Sequence, residues 1–422
     1  MTKDLRLTQA TTNVGNSSLP GEQSLDIEAI CDTACDASPV IEGIYAHVPF
    51  CAHRCHYCDF FTIAGREDAH AEYVDRIIDE IHAFPESLKA EPVKSIFVGG
   101  GTPTILPVKP LSRFLETLKR RFADEHTEFT VEANPETVDA EVADALVHAG
   151  VNRVSLGAQS FQSDLLETLE RRHQPGTVAS SLAHMRAAGI ESLSIDLIFG
   201  IPGQDLAQWQ HDLEAAIDLD PGHLSCYGLI YEPGTPLRGR LDRGEVNPVP
   251  EEDEASMYEW TIQRLEDAGY EQYEISNWSR PGLACRHNLL YWQNGNWWAF
   301  GPSGSAHVNG WRWRNLPRLG RYLDGSGRST VLDLERLDED GRIGETFMMG
   351  LRCIDGIALE EVDRMLSGEG GARRRPIIER HVASGLLLRS ENRLRLSGEG
   401  LLLANVVVTD LLAPGPDCGT ET

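Results

Sequence analysis

The stretch IYAHVPFCAHRCHYCDFF, residues 44–61, decides the fold and the chemistry together. Its first seven residues form an apolar run that reads as a β-strand. The strand leads into Cys51, Cys55 and Cys58, spaced C-x3-C-x2-C. Three soft thiolates on one short loop suit a corner of a cubane iron–sulfur cluster. The run supplies no fourth protein ligand, so one iron would stay open to a ligand from outside. A zinc site completed by His53, His56 or Asp59 is the alternative. Zinc knuckles pair two half-sites, and no second half-site follows here.

Outward from this loop, short apolar runs alternate with amphipathic ones. SIFVGG (95–100), EFTVEANP (128–135), RVSLGAQS (153–160), SLSIDLIFG (192–200) and HLSCYGLIYE (223–232) read as further strands, each preceded by a helical segment. Six such β-then-α units call for parallel strands with right-handed helical crossovers. The fold class expected is α/β, a partial (β/α)6 barrel of the TIM type, with an open doubly wound sheet as the other closure. Glycine and polar residues gather just after the strands, on the rim where barrel enzymes keep their chemistry.

The expected organisation has five parts. Residues 1–42 form a polar, disordered arm, residues 43–275 the barrel, and residues 276–335 an aromatic, glycine-rich segment. Residues 336–413 form a winged-helix-like α/β appendage, and residues 414–422 a tail. Cys31 and Cys35 fall in the arm and read as free thiols.

Composition narrows the function. Of 422 residues, 38 are Lys or Arg and 65 are Asp or Glu, a formal net charge of -27. Such a chain repels phosphate backbones, so nucleic acid is not an expected partner. No apolar run is long enough to span a bilayer, and the N-terminus lacks the apolar core of a signal peptide. Both features point to the cytoplasm, where the nine cysteines read as thiols and metal ligands, not disulfides.

YAHVPFC, GGGTPT, VEANP, LGAQSF, DLIFGIPGQ, YEPGTP and HNLLYW together resemble the radical S-adenosylmethionine (SAM) family. The resemblance runs from about residue 43 to 413, in the HemN/HemW branch of oxygen-independent coproporphyrinogen III oxidases and haem chaperones. It implies a [4Fe–4S] cluster on Cys51, Cys55 and Cys58, with SAM on the open iron. An electron from such a cluster cleaves the sulfonium. By resemblance, Gly100, Gly101 and Thr102 contact the methionyl part, where three glycines would let backbone amides approach a ligand. Tyr45, Glu132, Gln159, Arg171 and Asp196 carry over as further SAM contacts. Arg171 suits the methionyl carboxylate, and Asp196, in an otherwise apolar strand, needs a partner such as ribose. Tyr57 and Ile230 match positions that touch a second SAM in the oxidases.

Two features separate the branch. Oxidases carry a further cysteine two residues after the third ligand, and here that position is Phe60. His287–Trp292 matches the HNxxYW motif of the HemW-type members. Imidazole is a natural axial ligand of haem iron, so His287 is the expected haem contact, with Cys285 as the alternative. Tyr291 and Trp292 add aromatic surface. Arg312 and Arg314 would hold haem propionates or pair with the excess carboxylates. Two departures from the family pattern stand out. Glu170 replaces the glycine before Arg171, and Ala52 replaces a proline.

The resemblance therefore implies a haem carrier that delivers haem to an acceptor haem protein, a respiratory one being the natural candidate. Peripheral membrane contact would come through that acceptor, and the cluster would serve dimerisation or gating. The alternative is the enzyme, radical decarboxylation of coproporphyrinogen propionates to vinyl groups.

Overall fold

The computed structural model describes residues 21–31, 39–90, 92–390 and 392–412. Six parallel strands lie side by side in chain order: β1 (Gly43–Val48), β2 (Ser95–Gly100), β3 (Glu128–Ala133), β4 (Arg153–Gln159), β5 (Ser192–Phe199) and β6 (His223–Gly228). Helices α1 (His70–His82), α2 (Val108–Phe122), α3 (Ala140–His148), α4 (Pro175–Ala188) and α5 (Leu206–Asp218) make the crossovers. The result is the α/β partial barrel read from the sequence.

The strands alternate because each face has its own solvent. Ile44, Ala46, Val48, Ile96, Val98, Phe129, Val131, Val154, Leu156, Ile195 and Leu197 point one way and are buried in one continuous core. The opposite face carries Tyr45, His47, Glu132, Arg153, Ser155, Asp196, His223 and Ser225, which line a cavity inside the curved sheet. Parallel sheets are usually apolar on both faces, so this polar interior is the departure that marks a site.

The sheet does not stop at residue 275. Beyond β6 it continues through β8 (Asn277–Ser279) to β7 (Glu271–Glu274), both antiparallel. On the far side β9 (Trp297–Phe300) pairs parallel with β1, and β10 (Ser305–Val308), β11 (Trp311–Asn315) and β12 (Val331–Arg336) follow as an antiparallel meander. The aromatic segment is thus part of the barrel wall. Its tryptophans explain why: Trp298 and Trp313 are buried in the barrel's own core.

Between these flanks α6 (Arg286–Trp292) closes the barrel floor, at the strands' N-terminal ends. Gly43 makes room for it, since a Cβ there would run into the Leu290 side chain. The C-terminal unit has its own core around Ile343, Phe347, Leu387, Leu394 and Val407, with a three-stranded antiparallel sheet. Asn294 donates to Glu345 at 3.1 Å, and Arg352 stacks on Trp292 at 4.4 Å, tying this unit to the floor helix.

One expectation needs correction. Residues 21–31 are not a loose arm. Ile27–Cys31 is a short helix that buries Ile30, Gln23 pairs with Val331, and Glu22 meets Arg321 at 3.3 Å. Ile27 and Ile30 are three residues apart, so one helical turn presents both to the core. Residues 1–20 and 32–38, with Cys35, and the tail 414–422 lie outside the described residues. No helix among the described residues is long and apolar enough to cross a membrane.

Candidate functional site

The cluster loop leaves the sheet at the C-terminal rim of β1. Phe50–Cys51 pairs parallel with Ile63–Ala64, so the loop is clamped at both ends. The Gly101 amide donates to the Val48 carbonyl and the Thr102 amide to the Phe50 carbonyl, each at 2.7 Å. Cys51 Sγ lies 3.6 Å from Thr102 Oγ1. Cys55 Sγ lies 3.7 Å from His53 Nε2 and 3.8 Å from an Arg171 guanidinium nitrogen.

These neighbours set the thiols apart. Burial pushes Cys51 up to about 11 and Cys58 up to about 12. Burial acts on Cys55 too, but His53 and Arg171 outweigh it and hold that thiol below its ordinary value. Among the described residues no three His, Cys, Asp or Glu side chains converge as a shell for one ion. A cubane corner does not require that, because each thiolate takes its own iron.

Behind the loop lies a cavity of about 540 Å³, lined in part by Tyr45, Gly100, Glu132, Asp196 and His287. Gly100 has φ of +101°, and a Cβ there would run into the His47 ring. Glu132 Oε2 accepts from the Gly100 amide at 2.9 Å, and burial raises its carboxyl to about 7. Asp196 Oδ1 accepts from Ser225 at 2.7 Å, Ser155 at 3.0 Å and Ser194 at 3.3 Å. Among the described residues Oδ2 shares only the Ser155 proton, at 3.0 Å, and keeps capacity for a further donor. Tyr45 Oη sits 3.0 Å from His47 Nδ1.

Arg171 lies instead beside Cys55, and the Gln159 amide lies with Arg171 against Gly157. Arg171 donates to the Gly157 carbonyl at 2.5 Å, and its buried Nε has no hydrogen-bond partner among the described residues. Such an orphaned guanidinium N–H fits an incoming carboxylate. Gln159 holds a left-handed backbone, φ +66°, at a register shift in β4. Tyr57 packs with Leu229 against a small apolar cluster, and Ile230 stands 67% exposed beyond β6.

Residues 45–216 match the Radical SAM superfamily model. The heme chaperone HemW of Bacillus subtilis is 35% identical over 375 residues, covering 87% of this chain and 98% of the relative. HemW of Mycobacterium tuberculosis is 36% identical over 376 residues, covering 88% and 94%. HemW of Escherichia coli is 33% identical over 387 residues, covering 88% and 98%. The chain belongs to the HemW family of radical SAM proteins. That family's cofactors are a [4Fe–4S] cluster and SAM, and the cysteine loop and the orphaned Arg171 donor suit them. Among solved structures, the coproporphyrinogen III oxidase HemN of Escherichia coli shares the fold, with a TM-score of 0.78 at 21% identity over 91% of this chain and 92% of that one.

The HemW-family HNxxYW motif, HNLLYW here, holds two surprises. His287 is 1% exposed, with Nδ1 2.8 Å from Ser95 Oγ and Nε2 2.8 Å from the Tyr291 hydroxyl. It was the expected haem contact, yet neither ring nitrogen is free to take iron. Its position explains this: α6 plugs the barrel floor, so the ring lies stacked on Phe97 with centroids 5.2 Å apart. Cys285 is no readier, since burial pushes its thiol up to about 12 and it donates to Glu128 at 3.5 Å. Arg312 pairs with Glu345 and Arg314 with Asp333, so both answer to carboxylates.

A second correction concerns the glycine turn. The Gly100, Gly101 and Thr102 amides do not face a ligand; all three are spent on Glu132, Val48 and Phe50. Sequence reasoning also missed His47, Ser155, Ser225, His223 and Tyr273, all of which line the cavity. A signal for most of them was present, since polar residues recur at i, i+2 in strands that otherwise read apolar.

Proposed function

We propose that this chain is a haem chaperone. It holds a [4Fe–4S] cluster on Cys51, Cys55 and Cys58, binds SAM between that loop and the barrel cavity, and carries haem to an acceptor haem protein. The observation that carries the reading is convergence. The end of the cysteine loop, Asp59 to Phe61, Gly100 with Glu132, and Asp196 line one cavity, in a chain about one-third identical to HemW proteins over nearly their whole length.

Each residue then has a task. Arg171 Nε is the donor for the methionyl carboxylate. With the turn's amides engaged, the methionyl ammonium meets carbonyl oxygens of Gly100 and Gly101. Glu132 and Asp196 Oδ2 accept from ribose hydroxyls, and Tyr45 and Gln159 complete the walls. Reduced, the cluster supplies the electron for sulfonium cleavage. Tyr57 and Ile230 belong to the outer rim.

Haem is cargo, and the rim suits it better than the floor. Phe60 is 63% exposed and Tyr227 43% exposed at the cavity mouth, and Ile230 continues this apolar edge. A porphyrin face covers such surface favourably. The acceptor is an apo-haem protein; a homodimer and contact with a membrane-bound acceptor are compatible with this reading.

Anaerobic reconstitution tests the first half. The chain should take up about four irons, and Cys51→Ser, Cys55→Ser and Cys58→Ser should each abolish the cluster's absorbance. Cys31→Ser and Cys353→Ser should leave it intact. A cluster indifferent to any of the first three would overturn the assignment.

A further inference from the structure

The outer flank of the barrel holds a second cavity, about 510 Å³, that shares no lining residue with the one behind the cysteine loop. It lies where residues 316–330, between β11 and β12, lean on α1. Arg76, Arg321 and Arg328 line it, with the hydroxyl residues Ser326 and Thr330. In a chain of net charge -27, three guanidiniums around one hollow run against the composition.

Arg76 is 6% exposed and firmly held. Its Nε donates to the Tyr322 carbonyl at 3.0 Å, and its guanidinium carbon lies 4.7 Å from the centroid of the Tyr322 ring. Nη1 approaches Asp79 Oδ2 at 3.5 Å without a hydrogen bond, and the Gly327 amide already donates to that oxygen at 2.7 Å. Nη2 makes no hydrogen bond among the described residues. Gly325 leaves it uncovered, since even a Cβ there would stand 3.7 Å away. A buried cation with an idle fork calls for an anion. Arg328 is exposed on the same wall and has no ion pair among the described residues.

The carboxylates nearby are mostly committed. Glu22 meets Arg321 at 3.3 Å. Glu80 accepts from Tyr322 at 2.8 Å, from the Gly301 amide at 2.9 Å and from Ser329. Asp324 is exposed and is the one carboxylate that lines the hollow among the described residues. The hydroxyls of Ser326 and Thr330 make no hydrogen bond among the described residues, so both remain as donors.

We propose that this hollow is a binding site for a small organic phosphate, held by Arg76, Arg321 and Arg328. A phosphate monoester presents three acceptor oxygens and close to two negative charges, where one carboxylate presents two oxygens and one charge. Guanidiniums grip such a group bidentately, and the two hydroxyls serve the remaining oxygen. The volume lies in the range of small-molecule sites, so the phosphate has room for an organic body. The site stands apart from the cluster and SAM and does not rest on their assignment.

The test is anaerobic titration calorimetry of the cluster-loaded chain, with excess SAM present, in phosphate-free buffer at low salt. The probe is glycerol 3-phosphate. Wild type should bind one equivalent saturably. Arg328→Gln takes a charge from an exposed position and should weaken binding about 10-fold, the worth of one charge-assisted hydrogen bond. Asp324→Asn removes the repelling carboxylate and should tighten binding about 3-fold. Succinate, of similar size and charge but with two planar carboxylates, should bind about 10-fold more weakly than the phosphate. Denaturation midpoints of both variants should match wild type, which separates a lost contact from a lost fold. No saturable heat with glycerol 3-phosphate, or succinate binding equally well, overturns the phosphate site. So does an affinity indifferent to both Arg328→Gln and Asp324→Asn, which would place the heat elsewhere on the molecule.

Discussion

His287 and Tyr291 hold each other across one helical turn, Nε2 to hydroxyl at 2.8 Å, inside the barrel floor. With Ser95 on the other nitrogen, the imidazole works as a cross-brace. His287→Ala removes two buried hydrogen bonds and opens a void against Phe97. It should cost about 2–4 kcal/mol of unfolding free energy. Chemical denaturation under anaerobic conditions measures this. The Soret spectrum of added haem should stay that of wild type.

The same ring sets a pH signature. Burial lowers His287 from 6.5 to about 3. Between these values the unfolded chain binds a proton that the folded ring refuses, so the native state loses stability as pH falls below about 6.5. His287→Phe removes this one term. Its stability should fall less steeply than wild type between pH 6.5 and 5, the difference in slope growing to about 1.4 kcal/mol per pH unit at the acid end. Parallel denaturation midpoints and slopes across that range would contradict the assignment.

Gly100 has no room for a side chain and a backbone that resists one. Gly100→Ala must displace His47 or the turn itself, and should destabilise the protein by about 1–3 kcal/mol. It should also disturb the hydrogen bond that its amide donates to Glu132, so SAM retention on dialysis should drop. A variant with wild-type stability and SAM retention would show that the turn has slack.

Much of this was legible in the sequence. β1 to β6 read correctly because every second residue on their outward faces is apolar, as with Ile44, Ala46 and Val48 or Leu193, Ile195 and Leu197. The cysteine spacing announced the loop. The wall strands β9 to β11 were hidden because each is only four or five residues long and the turns between them carry Gly301, Gly304, Asn309 and Gly310, which makes the whole segment resemble a loop. The state of His287 was hidden for another reason. A histidine beside two aromatics reads equally as ligand or brace, and only burial with both nitrogens engaged decides. The glycine amides were misread because a turn's donors can serve its own chain as readily as a ligand.

Glu132, as the proposed acceptor from ribose, should make SAM binding depend on pH. Its carboxyl sits near 7, so it is mostly protonated below that pH and ionised above. If ribose hydroxyls donate to the carboxylate, SAM affinity should rise as pH goes from about 6 to 8 and level off. Glu132→Gln should bind SAM more weakly and flatten the rise. An equally steep rise in the variant would move the dependence to another group.

Carrier and oxidase part in one preparation. The cluster-loaded chain with SAM, a reductant and coproporphyrinogen III should yield no protoporphyrinogen. The same preparation should bind haem and pass it to an apo-haem acceptor, with the acceptor's Soret band appearing as the donor's fades. Decarboxylation of coproporphyrinogen III without haem binding or transfer would contradict the chaperone reading and make the chain an oxidase.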